Sequence, residues 1–139
     1  MNDSAMNAWL ENFIAEHGGI AGTVHVRSGD ALAIAASRNV PAKVVEVTRI
    51  IPKGKGMAGL AWERGRPVSS CNIQTDESGD VRPGARAVDA QAAVALPVHD
   101  TEGNLRAVVG IAFAEERTLE DRELAELGSA AAGVIELIR

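Results

Sequence analysis

The sequence predicts an α+β fold, a five- or six-stranded antiparallel sheet flanked by helices. Three observations carry this expectation. Short segments of alternating apolar residues stand in pairs around the turns Ser28-Gly29-Asp30 and 99–104, which reads as two hairpins. An amphipathic helical pattern stands near each end of the chain. No strand–helix–strand unit repeats, which argues against a doubly wound parallel sheet.

The elements follow in order. Residues 4–17 read as a helix capped by Ser4, with Trp9, Leu10, Phe13 and Ile14 on one face and His17-Gly18-Gly19 at its end. Ile20 to Arg27 alternates, with Val24 and Val26 facing one way and Thr23, His25 and Arg27 the other. Leu32, Ile34 and Ala36 continue as its hairpin partner, and both strands read as half-buried, suiting a sheet with one covered face. Pro41 opens a short helix. Between Val44 and Ile51 the β-branched residues leave helix and strand both open. Pro52 to Gly56 breaks the chain, Met57 to Arg64 forms a short helix, and Gly65-Arg66-Pro67 ends it. Val68 to Ile73 reads as a strand. Residues 72–91 show no periodicity, and an aperiodic stretch that long in a compact domain is usually either functional or a wrongly assigned element. Ala92 to Val98 and Arg106 to Ala114 form the second hairpin. Thr118, with Asp121 three residues on, caps a last helix to Arg139 whose apolar stripe is Leu124, Leu127, Ala131, Val134, Ile135 and Ile138.

Composition narrows the function. With 139 residues, residues 1–139 read as a single domain able to bury a core without staples. The only aromatic residues are Trp9, Phe13, Trp62 and Phe113, so the core is mostly aliphatic and almost no aromatic platform is on offer for RNA or single-stranded nucleic acid. The net charge of −5 argues against nucleic acid as a partner. No apolar run is long enough to span a membrane, and the polar N-terminus lacks the features of a signal peptide, so the expected location is cytoplasmic. Cys71 is the only cysteine, which excludes an intrachain disulfide and a cysteine-based zinc site. His17, His25 and His99 are dispersed without metal-ligand spacing, so no metal is expected. The sequence names no cofactor.

Gly54-Lys55-Gly56-Met57-Ala58-Gly59 spells the dinucleotide pattern G-x-G-x-x-G. Its context is wrong for that chemistry: the helix after it is only about two turns long, and no second βαβ unit follows. The glycines read instead as tight turns that start the short helix.

The stretch from Ile51 to Val68, with its glycine-rich turn, short helix and Gly65-Arg66-Pro67-Val68 strand entry, resembles the centre of a GAF domain. Ala95-Leu96-Pro97-Val98 and Val108-Val109-Gly110-Ile111-Ala112-Phe113 resemble that family's next two strands. The resemblance implies a sheet with helices on one face and a binding pocket on the other, in the manner of profilin-like and PAS-related folds. It implies small-molecule sensing and regulation, often in dimers, here a homodimer made through helices 4–17 and 118–139; the alternative readings are an enzyme of the family's catalytic branch and an interaction module acting through those terminal helices. One branch of the family, the free methionine-R-sulfoxide reductases, is enzymatic and needs several cysteines to attack the sulfoxide and resolve the intermediate. Where those cysteines stand, this sequence has Met57-Ala58 and Asp89-Ala90-Gln91, and Cys71 alone cannot complete the cycle.

The candidate ligand-binding residues are therefore Trp62, Cys71, Asn72, Asp76, Asp89 and Gln91, with an unidentified small molecule held between the sheet and the 72–91 loop. The loop offers further polar groups at Gln74, Glu77, Asp80, Arg82 and Arg86. Each has a plainer reading. A free cysteine is most often an inert small hydrophobe, a lone Trp most often packs in a core, and a polar loop is often merely solvated.

Overall fold

The computed structural model describes residues 4–81 and 89–138. Six antiparallel strands form one sheet: β1 (Ala21–Ser28), β2 (Ala31–Arg38), β3 (Ile50–Pro52), β4 (Val68–Ser70), β5 (Ala92–His99) and β6 (Leu105–Phe113), in the spatial order β3-β2-β1-β6-β5-β4. The two hairpins expected from the sequence lie side by side, joined through β1 and β6 at the centre. The expected α+β sheet with flanking helices is what forms.

Helix α1 (Ser4–Glu16) lays Met6, Leu10, Phe13 and Ile14 on the sheet. Trp9, expected on that face, is half-buried at its edge and stacks on Phe13 with ring centroids 5.1 Å apart. Gly18 closes the helix at φ 73°, a left-handed conformation that glycine adopts without penalty. The ambiguous stretch divides: α2 (Ala42–Val47) follows Pro41, and Ile50–Pro52 pairs with β2 as an edge strand. Helix α3 (Gly56–Arg64) ends at Gly65, whose N–H bonds the Ala61 carbonyl. The glycine-rich motif folds onto itself. Gly54 N–H donates to the Gly59 carbonyl at 2.8 Å, and a Cβ on Gly59 would sit 2.6 Å from the Pro52 carbonyl oxygen. Gly54 and Gly56 take left-handed φ of 85° and 65° in the tight turn, and α3 starts at Gly56, as their plain reading expects.

Three expectations need correction. The strand from Val68 stops at Ser70 rather than reaching Ile73. Thr118 does not cap the last helix: α4 (Asp121–Ala131) starts after Glu120, without a side-chain cap. The chain before it is pinned elsewhere, because Arg117 N–H donates to the Cys71 carbonyl at 3.2 Å while the Arg117 guanidinium stands over the Phe113 ring and pairs with Glu123. Nor does the helix run on as α: Ala132–Leu137 is a 3-10 helix, in a stretch that carries Gly133 and the β-branched Val134 and Ile135. Leu127, Ala131 and Val134 are buried as the stripe requires, with Leu124, Ile135 and Ile138 half-buried around them.

The sheet is also covered on both faces, not one. On the first face, α1, α4 and the 3-10 helix pack against Val24, Ala36, Val94, Leu96, Val98, Val109, Ile111 and Phe113. On the second, α3 buries Ala61 and Trp62 against Leu32, Val68, Ala95, Leu105 and Val108. No helix among the described residues is long and apolar enough to cross a membrane.

Candidate functional site

Strand alternation sends every second residue of β1 to the second face: Thr23, His25 and Arg27. Beside them on the same face, β5 supplies Ala93 and Ala95, and β6 supplies Gly110 and Ala112. None of these four side chains extends beyond Cβ. α2 and the glycine-rich turn cross over this shallow floor, and a cavity of about 470 Å³ is left between them. Val44, Val47 and Thr48 of the α2 segment, Ile51, and Met57 and Ala58 of α3 complete its walls. The volume lies within the common range for small-molecule sites.

One buried polar side chain dominates this apolar space. His25 lines the cavity and is only 3% exposed. Its Nε2 lies 2.8 Å from the Thr48 carbonyl oxygen. A carbonyl can only accept, so Nε2 carries the proton and donates. That carbonyl follows α2, where the helix leaves its last oxygens without internal partners. Burial pushes the His25 pKa below its ordinary value, against a smaller opposing effect of the Thr48 hydrogen bond. The ring is therefore neutral, and Nδ1 presents a bare lone pair. Among the described residues Nδ1 has no hydrogen-bond partner. A buried acceptor left unmade costs roughly 1–3 kcal/mol.

A bulge sits at this position. Val24 pairs with Ala36 and His25 with Ile34, so β2 has one extra residue at Ala35. Such bulges re-aim side chains and recur beside functional sites. Here the bulge puts Ala36 on the α1 face while Leu32 packs on the other.

The six residues expected to bind ligand lie around the cavity's margin or farther away, and none forms its wall. Trp62 is packed on the same face, next to Ala95, with the Arg27 guanidinium 5.1 Å and the Lys53 ammonium 5.6 Å from its ring. Cys71 is exposed. Asn72 donates to Glu116 at 2.7 Å. Asp76 accepts from the Ser70 hydroxyl at 2.6 Å and from the Ser78 N–H at 2.8 Å. Asp89 is exposed, and the Gln91 backbone extends the sheet by bonding Ile73 and Phe113. The neighbouring Gln74 reaches across to the Ala90 carbonyl at 3.0 Å. Asp80 forms a two-point ion pair with Arg64, at 2.9 and 3.1 Å. Arg82 and Arg86 fall outside the described residues. The polar groups of 72–81 thus largely bind one another and the frame. Sequence reasoning did not single out His25, Thr23 or Gly110 as a site. The available signal was a polar pair, Thr23 and His25, alternating into a strand at the centre of the sheet.

A GAF domain family model matches residues 4–138. The chain belongs to the GAF domain family. GAF domains among solved structures share the fold, such as that of a phosphoenolpyruvate-protein phosphotransferase from Acinetobacter (TM-score 0.66, 11% identity, 96% of this chain and 83% of that one). Two enzymes of related fold are also similar. The type II free methionine-R-sulfoxide reductase of Thermoplasma acidophilum has a TM-score of 0.76 at 16% identity, over 97% of this chain and 92% of that one. The free methionine-R-sulfoxide reductase of Neisseria meningitidis, solved with its substrate, has 0.68 at 18%, over 93% and 76%. At such identities the likeness is one of fold. No curated protein matches by sequence.

Proposed function

We propose that this GAF domain is a sensory or regulatory binding module that holds a small molecule in the cavity between α2, the glycine-rich turn and the central strands, without catalysing its conversion. The observation that carries this reading is His25, a buried residue in the wall of a largely apolar cavity, whose Nδ1 has no hydrogen-bond partner among the described residues. The 72–91 loop keeps a part in it. Ala90, at the loop's return, packs on Ala21 and Ala112, and both of these line the cavity. Trp62 borders the site through Ala95. A role for Cys71, Asn72, Asp76, Asp89 and Gln91 is then to hold the loop's ends rather than to touch the ligand. A cytoplasmic location and a single domain accompany this reading.

The reductase reading has less support. Its thiol chemistry needs an attacking thiolate next to the substrate, and the single cysteine is exposed outside the cavity wall. Self-association through the terminal helices rests on the small residues Ala5, Ala8 and Ala132, exposed outside the buried stripes. Gly133 belongs to a contact within the chain, since a Cβ there would meet the Trp9 indole nitrogen at 3.6 Å. Sedimentation at micromolar concentration tests the dimer, and a monomer there removes it.

A thermal-shift screen of amino acids, organic acids, nucleotides and uncharged heterocycles tests the binding module. A ligand present at about 100 times its Kd adds about 2.7 kcal/mol of stability. The expected hit stabilises the native protein but not Ala93→Leu, which fills the cavity. The reading fails if no compound binds, or if every stabilising compound works equally on the filled variant.

A further inference from the structure

The chemistry of the cavity wall narrows the class of ligand, and this step rests on the binding reading above. The floor is made by Ala93, Ala95, Gly110 and Ala112, with Val44 and Met57 on the opposing side. Thr23 and His25 of β1 rise beside this part of the floor, which has no side chain beyond Cβ and so leaves a flat slot that fits a planar ring. The titratable groups among the described lining residues are His25 and Lys55, and Lys55 is exposed. A charged group taken deep into the slot would lose its water without meeting a buried counter-charge. His25 Nδ1 is an acceptor, because its Nε2 proton is committed to the Thr48 carbonyl.

We propose that the cavity takes an uncharged, planar, ring-sized molecule whose single N–H or O–H donates a hydrogen bond to His25 Nδ1. Apolar ring surface covers the Ala and Gly floor, and the donor satisfies a buried atom left without a partner among the described residues. A ligand of the same shape that offers only an acceptor places two lone pairs against each other and leaves Nδ1 unmade.

Indole and benzofuran test this directly, because they match in shape and differ in having a ring N–H or a ring oxygen. Titration calorimetry of the full chain should show indole binding at least about tenfold tighter than benzofuran, the factor expected when a buried acceptor goes unpaired. In His25→Phe the two should bind within about twofold of each other. Should that variant fail to fold, nitrogen NMR of the wild-type imidazole serves instead: indole moves the Nδ1 resonance toward its hydrogen-bonded position and benzofuran leaves it in place. Equal binding of indole and benzofuran by the wild type overturns the proposal, as does discrimination that persists in His25→Phe. Binding of benzoate without either uncharged ring overturns it too, while leaving the binding module standing. Absence of any compound whose binding is lost in Ala93→Leu removes both.

Discussion

The two faces of the sheet are built from the same strands and have opposite interiors. Along β6, Val109, Ile111 and Phe113 face the terminal helices, and Val108, Gly110 and Ala112 face the other way. Along β5, Val94, Leu96 and Val98 oppose Ala93 and Ala95. Large branched side chains on the first face interdigitate with Leu10, Phe13 and Leu127 and leave a packed core. On the second face, small side chains meet a roof that stands off them, and about 470 Å³ stays open. One face invests its residues in stability. The other withholds atoms and leaves a cavity, and keeps the one buried histidine.

Breaking the packed face should give the largest effect. Leu96 is fully buried in that core, and Leu96→Ala should cost about 2–5 kcal/mol in urea unfolding, the range for truncating a buried leucine. A smaller loss would mean that the helices relax onto the sheet and that the first face is less tightly packed than its side chains suggest.

The second face responds to pH. Burial lowers the His25 pKa in the folded chain below 6.5, its ordinary value and the one expected after unfolding. Between the two values the unfolded chain binds a proton that the folded chain refuses, so stability rises with pH there. This contribution is fully present above pH 6.5 and is lost as pH falls toward the folded-state value. Urea midpoints measured from about pH 7.5 to about pH 5.5 should fall for the wild type and change less for His25→Phe. Equal slopes would show that His25 does not titrate as a buried neutral ring.

Filling the cavity should disturb stability less than emptying the core. Ala93 is half-buried on the cavity floor, so Ala93→Leu adds atoms where space exists. The expected change is below about 1.5 kcal/mol, against complete loss of ligand-induced stabilisation. A large destabilisation would mean that the slot is narrower than the ring-sized molecule proposed for it.

The contrast between the faces also explains what the sequence disclosed. Period-two alternation located the strands, and the helical spacing of Leu10, Phe13, Ile14, Leu127 and Val134 located the helices that cover the first face. Gly65-Arg66-Pro67-Val68 marked the end of α3 and the entry to β4. Alternation tells that two faces differ but not what covers each, so Thr23, His25 and Arg27 looked like a wetted edge. What covers Thr23 and His25 is α2, a six-residue helix too short to show a period, while Arg27 stays exposed over Trp62. A cavity is made by missing atoms, and Ala93, Ala95 and Gly110 look in sequence like any small residues of a strand. The 72–91 loop drew attention through its polar side chains, and those of 72–81 are largely committed to one another.

That commitment is the basis of the smallest predicted effect. Arg64, the last residue of α3, holds Asp80 through two hydrogen bonds, and its protonated form is favoured first by those bonds and then by the Asp80 charge. Both partners are partly exposed, at 36% and 25%, so solvent and salt screen the pair. Arg64→Gln should therefore barely move the urea midpoint. The same substitution releases the loop where the Ser78 N–H bonds the Asp76 carboxylate and the Asp80 N–H bonds the Ser78 hydroxyl, so these amides should exchange faster with solvent. If the midpoint falls as far as for Leu96→Ala, the loop is part of the core. If neither the midpoint nor the exchange moves, the Asp76 turn holds itself, and Arg64 is free to be read as part of the open cleft it lines with Asp121 and Ser129.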